Sequence, residues 1–353
     1  MSDRTKTLLV RADANRQMGI GHAMRCLAVA EQAVTEGHRV VFAMHQVPNL
    51  LLARLEKASI EVIHLDDNKA DLAGFLNLAS ACNAGYVLID GYHFTDDYEK
   101  SLRMAGVRCL RFDDYMPGAI CHADVVVNAS PHAQQHPYQQ WAPYASLMLG
   151  PKYISFRSDM IAAHERMKAI HDSQGSTHDT NGNASILVNF GGSDHLDMTI
   201  ETVSAIAVQL PDAQIEAVTG AAYPNPERLS KLGIANLAHH HNTDNLAEIM
   251  QRARMAISAG GLTVAELALF RIPTILAITA QNQIKGAHVS WCHTIIPEED
   301  IEITRDTLLE NIIQEAKRLW HRPEERALIA SRIPTELDIL GTKRIVKALM
   351  GEI

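Results

Sequence analysis

Short apolar runs alternate along this chain with longer stretches in which apolar positions recur every three or four residues. In the first half the runs fall at Thr7–Arg11, Arg39–Met44, Glu61–Leu65, Tyr86–Asp90, Val107–Phe112 and Asp124–Asn128. They are nearly continuous rather than alternating, as strands covered on both faces by helices require. After the first run, Ala23, Leu27, Ala30 and Val34 mark one face of a helix reaching about Glu36, with Gly37 as its C-terminal cap. The second half repeats the scheme, most clearly at Ser185–Phe190, Gln214–Thr219, Met255–Ser258 and Pro273–Ile278. The pattern predicts an α/β chain of two Rossmann-like domains facing a cleft, the usual place for a ligand.

From His171 to Asn183 no apolar residue occurs, so this stretch cannot bury a core face and is expected to link the domains. The expected division is residues 1–170, a linker at 171–184, and 185–353. A length of 353 residues suits two cores. The net charge of −9, with no basic run to offset it, argues against nucleic acid or anionic lipid as a partner. Five scattered cysteines form no CxxC pair, which favours a reducing compartment over disulfides or a zinc site. The N-terminus reads neither as a signal peptide nor as a membrane span, so a cytoplasmic protein is expected.

Three glycine turns carry the candidate chemistry. Met18-Gly19-Ile20-Gly21-His22 lies where the first strand turns into a helix, a place where a ligand can approach the backbone and the helix N-terminus. A dinucleotide site would want a third glycine and an acidic residue ending the second strand. Here those places hold Met24 and the run Val40–His45 without a carboxylate, so a nicotinamide cofactor is disfavoured. His22 either packs at the turn or accepts a proton from water.

In the second half, Ser258-Ala-Gly-Gly-Leu-Thr263 follows a strand and opens a helix expected to carry Glu266 in its first turn. Backbone N–H groups there, with the helix dipole, suit a diphosphate, and Glu266 two ribose hydroxyls. The plainer alternative is a tight turn with an ordinary acid on the helix. Gly191-Gly192-Ser193-Asp194 forms a third such turn. Asp113-Asp114 suits acid–base work or a turn, and Gln281-Asn282-Gln283 could meet sugar hydroxyls. The run His239–His241 lacks the spacing of a helical metal site and is expected in a loop. No HExxH or zinc set occurs, so neither metal nor cofactor is expected.

Taken in order, these pieces resemble the nucleotide-sugar hydrolases of pseudaminic acid biosynthesis, which release UDP from UDP-2,4-diacetamido-2,4,6-trideoxy-β-L-altropyranose. The resemblance is carried by Arg11-Ala-Asp13, Gly19 to Arg25, Ile89-Asp90 with Tyr92, and Phe112-Asp-Asp114. It continues through Leu149 to Tyr153 with Arg157, Gly191 to Asp194, Ser258 to Glu266, and Asn282-Gln283. The Ser258–Glu266 loop is also similar to that of the transferase adding N-acetylglucosamine to a peptidoglycan lipid precursor. The resemblance implies a glycosyltransferase-B-type fold and metal-independent hydrolysis, with His22 as the base that activates water. It further implies Asp13, Gly21, Tyr92, Arg157 and Gln283 around the sugar. Gly191, Gly192, Ser193, Gly260, Gly261, Leu262, Thr263 and Glu266 would surround the nucleotide. Asp13 and Tyr92 are expected to orient the sugar or the imidazole. With no carboxylate pair for double displacement, attack by water predicts inversion at the anomeric carbon. A transferase with an acceptor hydroxyl in place of water, or a non-catalytic nucleotide-sugar sensor, would use the same loops.

Overall fold

The computed structural model describes residues 6–14, 20–65, 71–116, 118–174, 185–192, 194–279, 283, 289–295 and 304–352, without the side chains of 71 and 171–174. Contacts divide the chain into one unit of Met1–Ser158 with Glu336–Ile353 and a second of Asp159–Thr335.

In the first unit the apolar runs become β1 (Thr7–Ala12), β2 (Val40–Met44), β3 (Glu61–His64), β4 (Ala84–Asp90), β5 (Arg108–Phe112), β6 (Val125–Asn128) and β7 (Ser146–Leu149). They form a parallel sheet in the order β3-β2-β1-β4-β5-β6-β7. Strand β1 is buried at every position, as a central strand with helices on both faces must be. Its helices are α1 (Gly21–Thr35), α2 (Asn49–Lys57), α3 (Asp71–Ala81), α4 (Asp96–Met104) and the short α5 (Tyr138–Trp141). Gly37, with φ of +89°, ends the first of these as its sequence predicts.

The second unit holds α6 (Ser158–Gln174), α7 (Met198–Gln209), α8 (Glu227–Ser230), α9 (Leu246–Arg252), α10 (Leu262–Leu269), α11 (Arg305–His321) and α12 (Pro323–Ser331). Its parallel sheet runs β10-β9-β8-β11-β12-β13. The strands are β8 (Ser185–Asn189), β9 (Gln214–Thr219), β10 (Leu237–His241), β11 (Ala253–Ala259), β12 (Thr274–Ala277) and β13 (Cys292–Ile295). In both sheets the strand order reverses beside the first strand of the unit, at β1/β4 and at β8/β11. Such switch points open a crevice at the strands' C-terminal ends.

Two expectations change. The proposed linker begins inside α6, which continues to Gln174, while residues 175–184 lie outside the described residues. The final helix, α13 (Gly341–Met350), belongs to the first unit rather than the second. Its Ile345, Val346, Ala348 and Leu349 are fully buried in the core that holds Leu8, Val10, Leu27 and Val29. An amphipathic pattern announces a helix but does not say which sheet it covers.

The histidine run is also corrected. His239–His241 end strand β10, paired in register from Leu237 opposite Ile215 to His241 opposite Thr219. An edge strand takes its backbone bonds from one neighbour and tolerates polar side chains, which hid this strand from a search for apolar runs. The short edge strand β13, with His293 and Thr294 at its centre, escaped notice for the same reason, and β7 because its apolar run is only three residues long.

Candidate functional site

At the first switch point, α1 is the next element after β1 and places His22 at its second position. Strand β4 pairs with β1 up to Ala12 opposite Asp90, so a carboxylate 68 residues away ends beside the imidazole. His22 is buried, and its Nδ1 lies 2.7 Å from Asp90 Oδ1, itself 1% exposed.

Arg25, one turn further along α1, binds both Asp90 oxygens, through Nε to Oδ2 at 2.5 Å and Nη2 to Oδ1 at 2.6 Å. The same guanidinium donates to both oxygens of Asp114 at 3.0 Å and lies 4.8 Å over the Phe112 ring. Burial alone would raise the Asp90 carboxyl, but the charge and hydrogen bonds of Arg25, aided by His22, hold it below the ordinary range. An ionised carboxylate only accepts, so Nδ1 of His22 carries the proton and donates it to Asp90. In the neutral ring Nε2 then keeps its lone pair.

Tyr92 stands beside this pair, its ring edge-on to His22 at 4.8 Å and half exposed. Gly91 makes that turn possible: its φ is +154°, and a Cβ there would lie 3.0 Å from the His93 ring. Arg25, Asp90, Gly91, Tyr92, Arg111, Phe112, Asp113, Asp114 and Tyr115 line a cavity of about 160 Å³. The two adjacent acids divide their labour. Asp113 is buried, accepts from Met116 N and, at 2.5 Å, from the Tyr138 hydroxyl, and burial raises its carboxyl. Asp114 is the partner of Arg25.

Asp13 does not orient the imidazole. It pairs with Arg11 at 2.6 Å, accepts from His45 N at 3.2 Å and lies 3.7 Å from His93 Nε2. Asp90 holds the ring instead. The sequence offered two signals for this cluster: a His-x-x-Arg spacing on one helix face and an acid ending the strand run Tyr86–Asp90. Gly21 opens α1 with no atom of the described residues within 4 Å of a Cβ position, and Arg157 is buried just before α6.

At the second switch point the two glycine turns differ. After β8, the Gly191-Gly192 turn packs its backbone against Gly220, whose Cβ position lies 2.6 Å from Gly192 Cα. Beyond it, Asp194 accepts from Met198 N at 2.9 Å and Thr199 N at 2.7 Å, so the N-terminus of α7 already holds a carboxylate.

After β11, Gly261 caps α10 at φ +156° with no side-chain hydrogen bond to the helix start. The first turn of α10, with Leu262 and Thr263, carries no acid. Glu266 therefore stands one turn into the helix, half-buried, rather than in the first turn as expected. Gln283 braces this turn, donating to Gly260 O at 3.3 Å and accepting from Thr279 N at 2.9 Å. Gly19, Ser193 and Asn282 lie outside the described residues.

Among the described residues no cluster of three or more His, Cys, Asp or Glu side chains could hold a metal ion, and no helix is long and apolar enough to cross a membrane. All five cysteines are buried and free.

Two parallel α/β sheets with these strand orders define a fold of the glycosyltransferase-B type, and comparison with solved structures agrees. The chain matches MurG of Acinetobacter baumannii with a TM-score of 0.64 at 14% identity, over 98% of this chain and 99% of that one. It matches the UDP-GlcNAc 2-epimerase of Neisseria meningitidis, solved with UDP-GlcNAc, with a TM-score of 0.63 at 12% identity, over 98% and 100%.

Among curated proteins, the UDP-2,4-diacetamido-2,4,6-trideoxy-β-L-altropyranose hydrolase of Campylobacter jejuni is 24% identical over 263 residues, 72% of this chain and 85% of that protein. An uncharacterised protein of Methanocaldococcus jannaschii is 24% identical over 285 residues, 79% of this chain, which spans 56% of that protein's length. No protein-family model matches the chain.

Proposed function

We propose that this chain hydrolyses a UDP-sugar, with His22 as the base and a UDP-2,4-diacetamido-2,4,6-trideoxyhexose as substrate. The observation that carries the reading is the buried His22–Asp90 pair at the β1/β4 switch point. It fixes the imidazole in the tautomer that can take a proton at Nε2. Water, losing a proton to Nε2, forms the new bond to the anomeric carbon. The C1–O bond breaks, and UDP leaves with the electron pair. Attack opposite the leaving group inverts that carbon.

The nucleotide end is assigned to the β11–α10 turn, where backbone amides and the helix dipole favour a diphosphate and Glu266 the ribose. Tyr92 borders the sugar, and Gly21 and Arg157 are further candidate contacts. The choice of sugar rests on the Campylobacter relative, which is named for this hydrolysis.

The test is incubation of the purified chain with a panel of UDP-sugars, measuring UDP release without an acceptor and the anomeric configuration by NMR. Acceptor-independent release with inversion supports the proposal. Release only with an acceptor would make it a transferase, epimerised UDP-sugar without release an epimerase, and binding without turnover a sensor.

A further inference from the structure

The histidines of β10 take no part in the proposed hydrolysis. Side chains alternate across a strand, so His239 and His241 share one face and His240 takes the other. On the shared face both rings turn to a single hydroxyl. His239 Nε2 is 2.8 Å and His241 Nδ1 is 3.1 Å from Thr219 Oγ1, with the ring centres 6.3 Å apart. A hydroxyl has one proton, so it donates to one ring and accepts from the N–H of the other; neither ring needs a charge. On the opposite face His240 Nε2 is 2.5 Å from Glu216 Oε2, and Arg252 reaches that carboxylate at 3.1 Å.

We infer that His239 and His241 form a two-imidazole site for a borderline divalent cation such as Zn²⁺, Ni²⁺ or Cu²⁺. Imidazole nitrogen suits these ions, and water completes the coordination. With metal–nitrogen bonds of about 2.0–2.1 Å, two rings on one ion have centres roughly 5–6 Å apart, so the site closes with a shift of about 1 Å or less. His241 is exposed on an edge strand, which leaves the ion a way in. The Thr219 hydroxyl, which stands between the two nitrogens, then lies within reach of the ion as an oxygen ligand. The spacing that fails on a helix works here because residues two apart on a strand face the same way.

The test uses the intact chain titrated with Zn²⁺ by calorimetry and with Cu²⁺ by electron paramagnetic resonance. With 18 histidines in the chain, stoichiometry is read as the difference between wild type and variants. One equivalent with two-nitrogen hyperfine structure is expected, lost in His241→Ala and in His239→Asn, which can still hydrogen-bond Thr219. His240→Ala, on the other face, is expected to keep that equivalent. The same equivalent and affinity in His241→Ala as in wild type would overturn the inference. So would its loss in His240→Ala, or wild-type binding weaker than about 1 mM.

Discussion

The two sheets share a strand order, yet their switch points offer opposite materials. At β1/β4 the chemistry is made of side chains: an imidazole, two carboxylates and one guanidinium that pairs with both carboxylates. At β11–α10 the material is backbone, a glycine-capped helix start with no carboxylate of its own in the first turn. The β8–α7 turn separates outline from chemistry. It too runs from strand through glycines to helix, but Asp194 already occupies the amides of Met198 and Thr199. A strand–glycine–helix turn is thus open to an anion only where the chain has not supplied one itself.

The comparison breaks most visibly at His22. In a UDP-release assay His22→Asn is expected to lower kcat by about 10²–10⁴-fold while UDP binding by calorimetry is retained. Full turnover in a folded variant would end the proposed division of labour. Asp90→Asn should cost about 10²-fold or more in kcat with little change in KM, because an amide that donates to Nδ1 leaves the proton on Nε2.

Asp90 also gives the first switch point an acid dependence. Its folded carboxyl lies below the unfolded value of about 3.9, so its stabilisation is complete above that value and is lost as pH falls through the folded one. Urea unfolding at about pH 6 and about pH 3 should show wild type losing more stability than Asp90→Asn; equal losses count against the ion-pair account.

At the second switch point the effects are smaller. Gly261→Ala places a side chain at φ +156°, and the strain should weaken UDP binding about tenfold while the first site stays intact. Removing the carboxylate from α7 with Asp194→Ala is expected to cost about 0.5–2 kcal/mol of stability in urea unfolding and leave UDP affinity unchanged. If UDP binding disappears instead, the contrast between the two turns is mistaken.

Much of this was legible beforehand where the signal was local. Central strands show as apolar runs because both their faces are covered, and the Gly19–His22 and Ser258–Glu266 turns show as glycines between a strand and a helix. Asp13, expected to orient the sugar or the imidazole, was picked for its nearness along the chain, and a role toward the sugar stays a proposal. Asp13 follows β1 as His22 does, but the residue facing the ring comes from β4, the neighbour chosen by sheet order. Strand β10 was hidden because polar side chains on an edge carry no apolar period.

The amino-acid sequence by itself determined the α/β class, the glycine turns and the presence of His22 at a helix entry, since these depend on periodicity and backbone freedom over a few residues. Only the tertiary structure decided that Asp90 and Arg25 hold the imidazole, that Asp194 fills the start of α7 while α10 has no acid in its first turn, and that α13 completes the first core. Each of these is a pairing between segments far apart in the chain. Such pairings follow from which surfaces bury together and which charges must be neutralised there, and no local pattern records them.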